Sequence, residues 1–319
     1  MEAALDAAIA AFEPNLPLAV GFSGGADSTA LLLACSQKWP GQISAVHINH
    51  GLQAAAGEFE QHCLETCRVH DIPLKVIAVQ AKALPGQSPE AVARDARYKG
   101  FAHFVEENQR SLDIKNIALA HHEDDQIETF LIALSRGAGL AGLSAMPHLL
   151  TRGGIQYWRP LLQVSATEIR RWLHHRQIRF IEDPTNTDLR FLRNRIRHQI
   201  LPSFKETFPH FAQPFARSLL HIVQAQELLD EMAAADLATV MPTAPGPRIR
   251  QLQALSGNRQ GNVLRYWLGT CCSAIPSAAQ LGELLSQVAH CKTRGHHVEI
   301  KVAGGKVVRE GECLTWYNP

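Results

Sequence analysis

Over its first 135 residues the chain alternates short apolar runs with longer helical patterns, and this alternation restricts the available folds more than any other feature. Strands are expected at 16–22, 43–49, 72–79 and 114–120, and helices at 28–37, 57–70, 89–108 and 123–135. Repeated strand–helix–strand units give an α/β fold, a parallel sheet with helices on both faces. Two helix starts carry their own signals: Ser88 before Pro89, and Ser165 with Glu168 three residues on, a capping box. After Arg136 the pattern loosens into glycines at 137, 139, 142, 153 and 154. A helical, arginine-rich stretch at 188–200 and a helix at 215–237 follow, then a proline-rich loop at 241–247. The rest reads as helical to about residue 290 and strand-rich at 298–301 and 307–316. A chain of 319 residues exceeds the usual size of one core. We therefore expect one domain over 1–205 and a smaller, mainly helical C-terminal one over 206–319, with the boundary near 202–214.

Bulk properties mainly exclude. No apolar run approaches the length of a bilayer, so no membrane partner is expected. The N-terminus carries Glu2, Asp6 and Glu13 and no basic region before an apolar stretch, unlike a signal peptide or presequence. Seven scattered cysteines suit a reducing compartment, so a cytoplasmic enzyme is expected. The formal charge of +1 argues for no polyanionic partner, but its distribution does. Eight arginines, at 170, 171, 176, 179, 190, 193, 195 and 197, face only Glu182, Asp183 and Asp188 in the same segment. In a helix, Arg190, Arg193 and Arg197 would share one side, a stripe able to follow a phosphate backbone, with Arg195 apart. A solvated helical face would look the same.

The first expected strand runs into SGGADS at 23–28 and then an apolar helix. Gly24 and Gly25 let backbone N–H groups approach an anion, and the helix start adds unpaired donors and a positive dipole end. Phosphate is the natural guest, although no lysine of a Walker A loop is present. Asp27 is repelled by phosphates unless a divalent cation or a cationic substrate group lies between them. Further on, AHHEDDQIET at 120–129 ends a strand with His121 and His122 and starts a helix with Asp124, Asp125 and Glu128, of which 124 and 128 share a face. These acids could hold Mg²⁺ or an ammonium, or could simply complement the helix dipole. Arg136 and the glycines behind it offer a second anion-accepting turn.

The SGGADS loop resembles the PP-loop of the ATP pyrophosphatases, which cleave ATP between its α and β phosphates. The segment 120–143 resembles the tRNA(Ile)-lysidine synthetase family within that superfamily. Further matches are HINHGL at 47–52, EAVARDARY at 90–98, RPLL at 159–162, EDPTN at 182–186 and RNRIR at 193–197. The likeness covers nearly two-thirds of the chain well and the remainder loosely. Many members continue into a further C-terminal domain, so Pro319 marks either a short form or a truncated one.

The resemblance implies a PP-loop catalytic domain over 1–205 and a tRNA-binding domain over 206–319. It implies ATP held by Ser23, Gly24, Gly25, Ala26, Asp27, Ser28, His50, Arg97 and His122, and catalysis by Asp27, Asp124, Asp125, Glu128 and Arg136. Mg²⁺ would sit on Asp27 and Asp125, and Arg190, Arg193, Arg195 and Arg197 would meet the tRNA. The implied substrates are ATP, free L-lysine and an isoleucine tRNA with a CAU anticodon, with a homodimer possible. Cytosine's 2-oxygen is a very poor leaving group, so adenylating it with loss of pyrophosphate must precede attack by the lysine amine and departure of AMP. No protein nucleophile is required, which leaves positioning and charge neutralisation. With a reference pKa of about 10.4, only about one lysine amine in a few thousand is neutral at pH 7. The site must therefore take a proton, through Asp27, Asp124, Asp125 or a nearby histidine. One rival is a tRNA thiolase of the same superfamily, which needs reactive cysteines. Cys63 and Cys67, spaced C-x₃-C in a helix, read as structural thiols instead. A non-catalytic, nucleotide-sensing RNA-binding protein is the other rival, and it predicts a decayed loop.

Overall fold

A computed structural model of the protein describes residues 4–49, 56–80, 89–108, 114–243, 245–293 and 296–318. The candidate residue His50 and the expected cap Ser88 lie outside the described residues. The chain divides into two compact units, Met1–Leu219 and Leu220–Pro319.

In the first unit the expected order is observed: α1 (Ala4–Ala10), β1 (Leu18–Gly21), α2 (Ala26–Lys38), β2 (Ile43–Asn49), α3 (Ala56–Val69), β3 (Leu74–Ala78), α4 (Pro89–Asn108), β4 (Asn116–Ala118) and α5 (Glu123–Ser135). Pro17 has no amide N–H to give to a neighbour, and β1 begins just after it. Sheet order is β3-β2-β1-β4-β6-β5, where β5 is Leu149–Arg152 and β6 is Ile155–Trp158. All pairings are parallel except β5 with β6. That antiparallel edge is a departure from the purely parallel expectation. Gly153 (φ 58) and Gly154 (φ 76) supply the two consecutive positive-φ residues of a tight hairpin, a signal the sequence carried in its Gly-Gly pair.

Successive strand residues enter different cores, because side chains alternate across a sheet. Leu18, Val20, Ala45 and Ala118 pack with α1, α2 and α7 (Ala166–His175), whose Ile169, Trp172 and Leu173 are buried. Ala19, Val46 and Ile117 pack with Tyr98, Phe101 and Phe104 of α4. Each such fully buried large side chain contributes about 1.5–3 kcal/mol. Ser165 Oγ accepts from Glu168 N–H at 3.2 Å and Ser165 N–H donates to Glu168 Oε2 at 3.0 Å, so the expected capping box starts α7.

Chain order reverses at β1, with β2 on one side and β4 on the other. In open α/β sheets the crevice at such a reversal, beyond the carboxyl ends of the strands, is where ligands bind. The loop after β1 and the acidic helix start after β4 both open there.

The helical stretch expected at 188–200 is broken. A 3₁₀ turn at Pro184–Thr187 precedes α8 (Leu192–Arg195), a π turn at Ile196–Ile200, and α9 (Leu201–Thr207). α10 (Ala212–Val240) then begins in the first unit and continues in the second. The second unit adds α11 (Ile249–Ala254), α12 (Gly257–Cys272), α13 (Ala278–His290) and an antiparallel sheet of β7 (Glu299–Val302), β8 (Gly305–Glu310) and β9 (Cys313–Tyr317). Val263, Leu264, Trp267 and Leu268 of α12 are buried against Leu284, Val302 and Val307 in a separate core.

Candidate active site

The loop 23–28 is held open by its own side chains. Gly24 adopts φ 84, a conformation that favours glycine, and its carbonyl accepts from Ile181 N–H at 2.9 Å. Ser23 Oγ lies 3.0 Å from Ser28 Oγ, and Ser28 Oγ donates to Gly25 O at 3.1 Å. Thr29 Oγ1 donates to the same carbonyl at 2.8 Å. Gly25 is the N-cap of α2, so Ala26, Asp27 and Ser28 form its first turn, where amide donors point outward. Helix α2 thus begins inside the motif, two residues earlier than expected.

A cleft of about 640 Å³ opens over this loop, lined by Ser23, Gly25, Ala26 and Asp27, by His47 and Asn49 at the end of β2, and by Arg97 of α4. Its other lining groups include His122, Asp124, Asp125, Arg170, Glu182 and Arg197. Ser23, Gly25, Ala26, Asp27, Arg97, His122, Asp124 and Asp125 thus share one space. His122 is buried, with Nε2 3.7 Å from Asp27 Oδ2 and 3.5 Å from Asp125 Oδ2. Burial pushes the Asp27 carboxyl above its ordinary 3.8, with His122 opposing and Asp125 reinforcing. Asp125 goes the other way: burial opposes its ionisation, but His122, Arg197 and the His122 N–H at 3.1 Å outweigh it. Two neighbouring carboxylates are therefore driven apart, one stably charged and one held back.

The other two acids already have protein partners. Glu128, fully buried, receives Arg197 Nε at 2.7 Å and Nη2 at 3.0 Å. Asp124 receives Lys205 Nζ at 2.5 Å. Of the expected cation-binding acids, only Asp125, together with Asp27, faces the cleft without a bidentate or lysine clamp, although Arg197 Nη2 also reaches Asp125 at 3.1 Å. Among the described residues no group of three or more His, Cys, Asp or Glu side chains could hold a metal. Two carboxylates beside a phosphate loop still suit Mg²⁺, which is bound by one or two carboxylates plus phosphates and water rather than by a protein cage. The raised Asp27 carboxyl is the group such a cation would relieve.

The expected arginine stripe does not form. Arg190 precedes the helix and pairs with Asp188 at 2.7 Å, while Arg193 reaches Glu90 at 3.1 Å and Thr129 at 3.0 Å. Arg197 turns to the acids of α5, and Arg195 alone of the helical three is exposed without an ion pair among the described residues. Arg136 is also outside the cleft: it is exposed at the far end of α5, about 20 Å along the helix from its acidic start. The sequence singles out neither Lys205 nor Asn194 for the site, and Arg170 only as one of eight arginines able to meet phosphates. Arg170 bonds Glu182 at 2.6 Å on the cleft wall, and Asn194 Nδ2 holds Thr185 O at 2.7 Å and Asp188 O at 2.9 Å. Cys63 and Cys67 are buried, and burial pushes both thiols up to about 12, so neither is a thiolate at neutral pH.

The profile of the PP-loop domain matches residues 2–204, and that of the TilS substrate binding domain matches residues 248–315. The tRNA(Ile)-lysidine synthase of Polaromonas naphthalenivorans is 50% identical over 316 residues, which are 98% of this chain and 94% of that protein. The synthase of Coxiella burnetii is 37% identical over 92% of this chain and 66% of its own length, and that of Pseudomonas aeruginosa 43% over 78% and 58%. The chain therefore spans nearly all of the first relative and two thirds or less of the other two. Among solved structures, the U34-tRNA thiolase NcsA of Methanococcus maripaludis superposes with a TM-score of 0.58 at 16% identity, covering 69% of this chain and 78% of that one. At that identity the likeness is one of fold alone.

Proposed function

The chain belongs to the tRNA(Ile)-lysidine synthase family, and from that premise we propose that it joins free lysine to carbon 2 of a cytidine in an isoleucine tRNA at the expense of ATP. The observation that carries this reading is the pairing of a phosphate loop with two carboxylates of opposite tendency, Asp27 and Asp125, across His122. The amides of 23–28 hold the β and γ phosphates, and Arg97 serves the nucleotide from the α4 side. The cytidine 2-oxygen attacks the α-phosphorus and pyrophosphate leaves along the loop. The lysine ε-amine then attacks carbon 2, and AMP departs.

Each residue's task follows from its surroundings. Asp125, held ionised, would be the residue to hold a cation. Asp27, whose Oδ2 lies 3.7 Å from His122 Nε2, is placed to take the ammonium proton or pass it to His122. When bound, Mg²⁺ on Asp27 and Asp125 supplies neutralisation of phosphate charge. Glu128 and Asp124 position the helix start through Arg197 and Lys205. No thiolate is needed, and the buried Cys63 and Cys67 weigh against sulfur delivery.

The test is incubation with labelled lysine, ATP and bulk tRNA, followed by nucleoside analysis. Lysidine should appear in the isoleucine fraction, and Asp27→Ala should abolish pyrophosphate release while leaving the protein folded. A labelled product in every tRNA, or normal pyrophosphate release from Asp27→Ala, would overturn the reading.

A further inference from the structure

Beside the cleft, α4 and its neighbours gather more positive charge than the protein neutralises. Arg159 is buried to 1% exposure, yet its partners are neutral: Nη1 donates to Pro147 O at 2.7 Å, Nη2 donates to Tyr98 Oη at 3.1 Å, and Nε has none. Arg94 lies over the same Tyr98 ring at 5.8 Å. Neither Arg94 nor Arg97 makes an ion pair or hydrogen bond among the described residues, and Arg97 lines the cleft. Arg193 completes the group, and its contact with Glu90, which is half exposed, is the one carboxylate pairing of the four. His121 beside them is held neutral, its imidazole pushed down to about 3 by burial, and its Nδ1 has no partner.

Guanidinium groups are rarely buried without a counter-charge, because desolvation is repaid only by an anion or a full set of acceptors. For Arg159 the acceptors are incomplete and, among the described residues, no carboxylate is paired with it, while Arg94 and Arg97 stand exposed beside it with no ion pair of their own. Arginine's planar fork suits phosphate, and a set of forks converging from one helix and an adjoining segment suits a phosphodiester. The loop 23–28 already accounts for the pyrophosphate end of a nucleotide. We infer that Arg94 and Arg193, flanking the cleft-lining Arg97 and backed by Arg159, form a second phosphate-accepting wall beside the cleft, which takes a backbone phosphodiester of the RNA next to the reacting base. This rests on the functional reading above, and it adds a contact that would seat the base rather than choose the tRNA. The same chemistry could instead serve the phosphates of ATP, so the test separates the two sources.

The full-length chain would be compared with Arg94→Gln, Arg193→Gln and Arg94→Lys. RNA affinity would be read by filter binding of a hairpin carrying a CAU loop over a salt series, and ATP affinity by equilibrium dialysis. Each glutamine variant should bind the hairpin about tenfold more weakly and lower the slope of log K against log salt by about 0.7. ATP affinity should stay within about twofold, since a lost backbone contact leaves the loop 23–28 untouched. Arg94→Lys should keep the slope, because it keeps the charge. Arg94 is exposed and stabilises no carboxylate, so Arg94→Gln carries the test even if Arg193→Gln, by stranding Glu90, fails to fold. Unchanged hairpin affinity and slope would overturn the inference. So would a fall in ATP affinity with hairpin binding retained, which assigns the wall to the nucleotide. If the wild type makes no lysidine yet Arg94→Gln shows the salt effect, the wall stands and the functional reading falls.

Discussion

Asp27 occupies the first turn of α2, where a helix start favours a negative charge, yet burial and Asp125 raise its carboxyl above 3.8. A carboxyl bound more tightly to its proton in the folded than in the unfolded chain adds stability below the unfolded value, and that stability is lost as pH rises through the folded value. Asp27→Asn removes the neutral-pH burden. The variant should therefore melt above the wild type at pH 7, with the margin closing towards pH 4, while activity falls by about 10²-fold or more. Thermal melts at the two pH values check this, and a variant less stable at pH 7 would contradict it. Arg197 behaves oppositely. Removing it strands Glu128, which is fully buried, so Arg197→Met should cost on the order of 3 kcal/mol at pH 7. The cost should shrink in acid and be largely recovered in the Arg197→Met, Glu128→Gln double variant, as read by urea denaturation. The residues Asp27, Asp125 and Glu128 were visible in the sequence as acids beside a phosphate loop. That Glu128 is committed to Arg197, sixty-nine residues away, was not.

At the scale of elements, the loop is the part that local sequence fixes most firmly, because a strand, two glycines and a helix start define its amides without help from elsewhere. Gly24→Ala tests this. The φ of 84 costs an alanine about 1–2 kcal/mol, and its Cβ would stand 3.2 Å from Cys63 Sγ and 3.3 Å from His62 Cδ2. The protein should fold, but the relaxed loop should bind ATP more than about tenfold less tightly, since the aimed amides provide the anion site; calorimetric titration checks it. The stretch 188–200 shows the opposite case. Its arginine spacing is compatible with one continuous helix, but Ile196 and Leu201 both enter the core of Ile127, Phe215 and Leu219. Residues five apart share a face only in a wider turn, and Pro202 gives no amide to the preceding one, so a π turn intervenes. The hairpin of β5 and β6 turns at Gly153 and Gly154, but the sequence reads there only as loosened glycines, because each strand is only four residues long.

At the scale of the molecule, the cores of the two units share no residue, so damage to one should stay in it. Leu264 is fully buried in the second core, and Leu264→Ala should cost about 2–5 kcal/mol there. Hydrogen exchange should rise across 249–317 and remain slow in β1, β2 and β4, because substitutions without shared partners act independently. Loss of protection in both regions would refute that separation. Among the described residues no helix is long and apolar enough to cross a membrane. The sequence by itself determined the α/β class, the order of the first eight elements after α1 and the position of the phosphate loop, because each depends on periodicity and backbone freedom over a few neighbouring residues. Tertiary structure alone decided which acids remain open to a ligand and which are spent on Arg197 and Lys205, and it dispersed an expected surface stripe, with Arg197 turned into the cleft and Arg190 paired with Asp188. Charge pairing depends on approach in space between residues 69 to 81 positions apart, and no spacing along the chain encodes that approach.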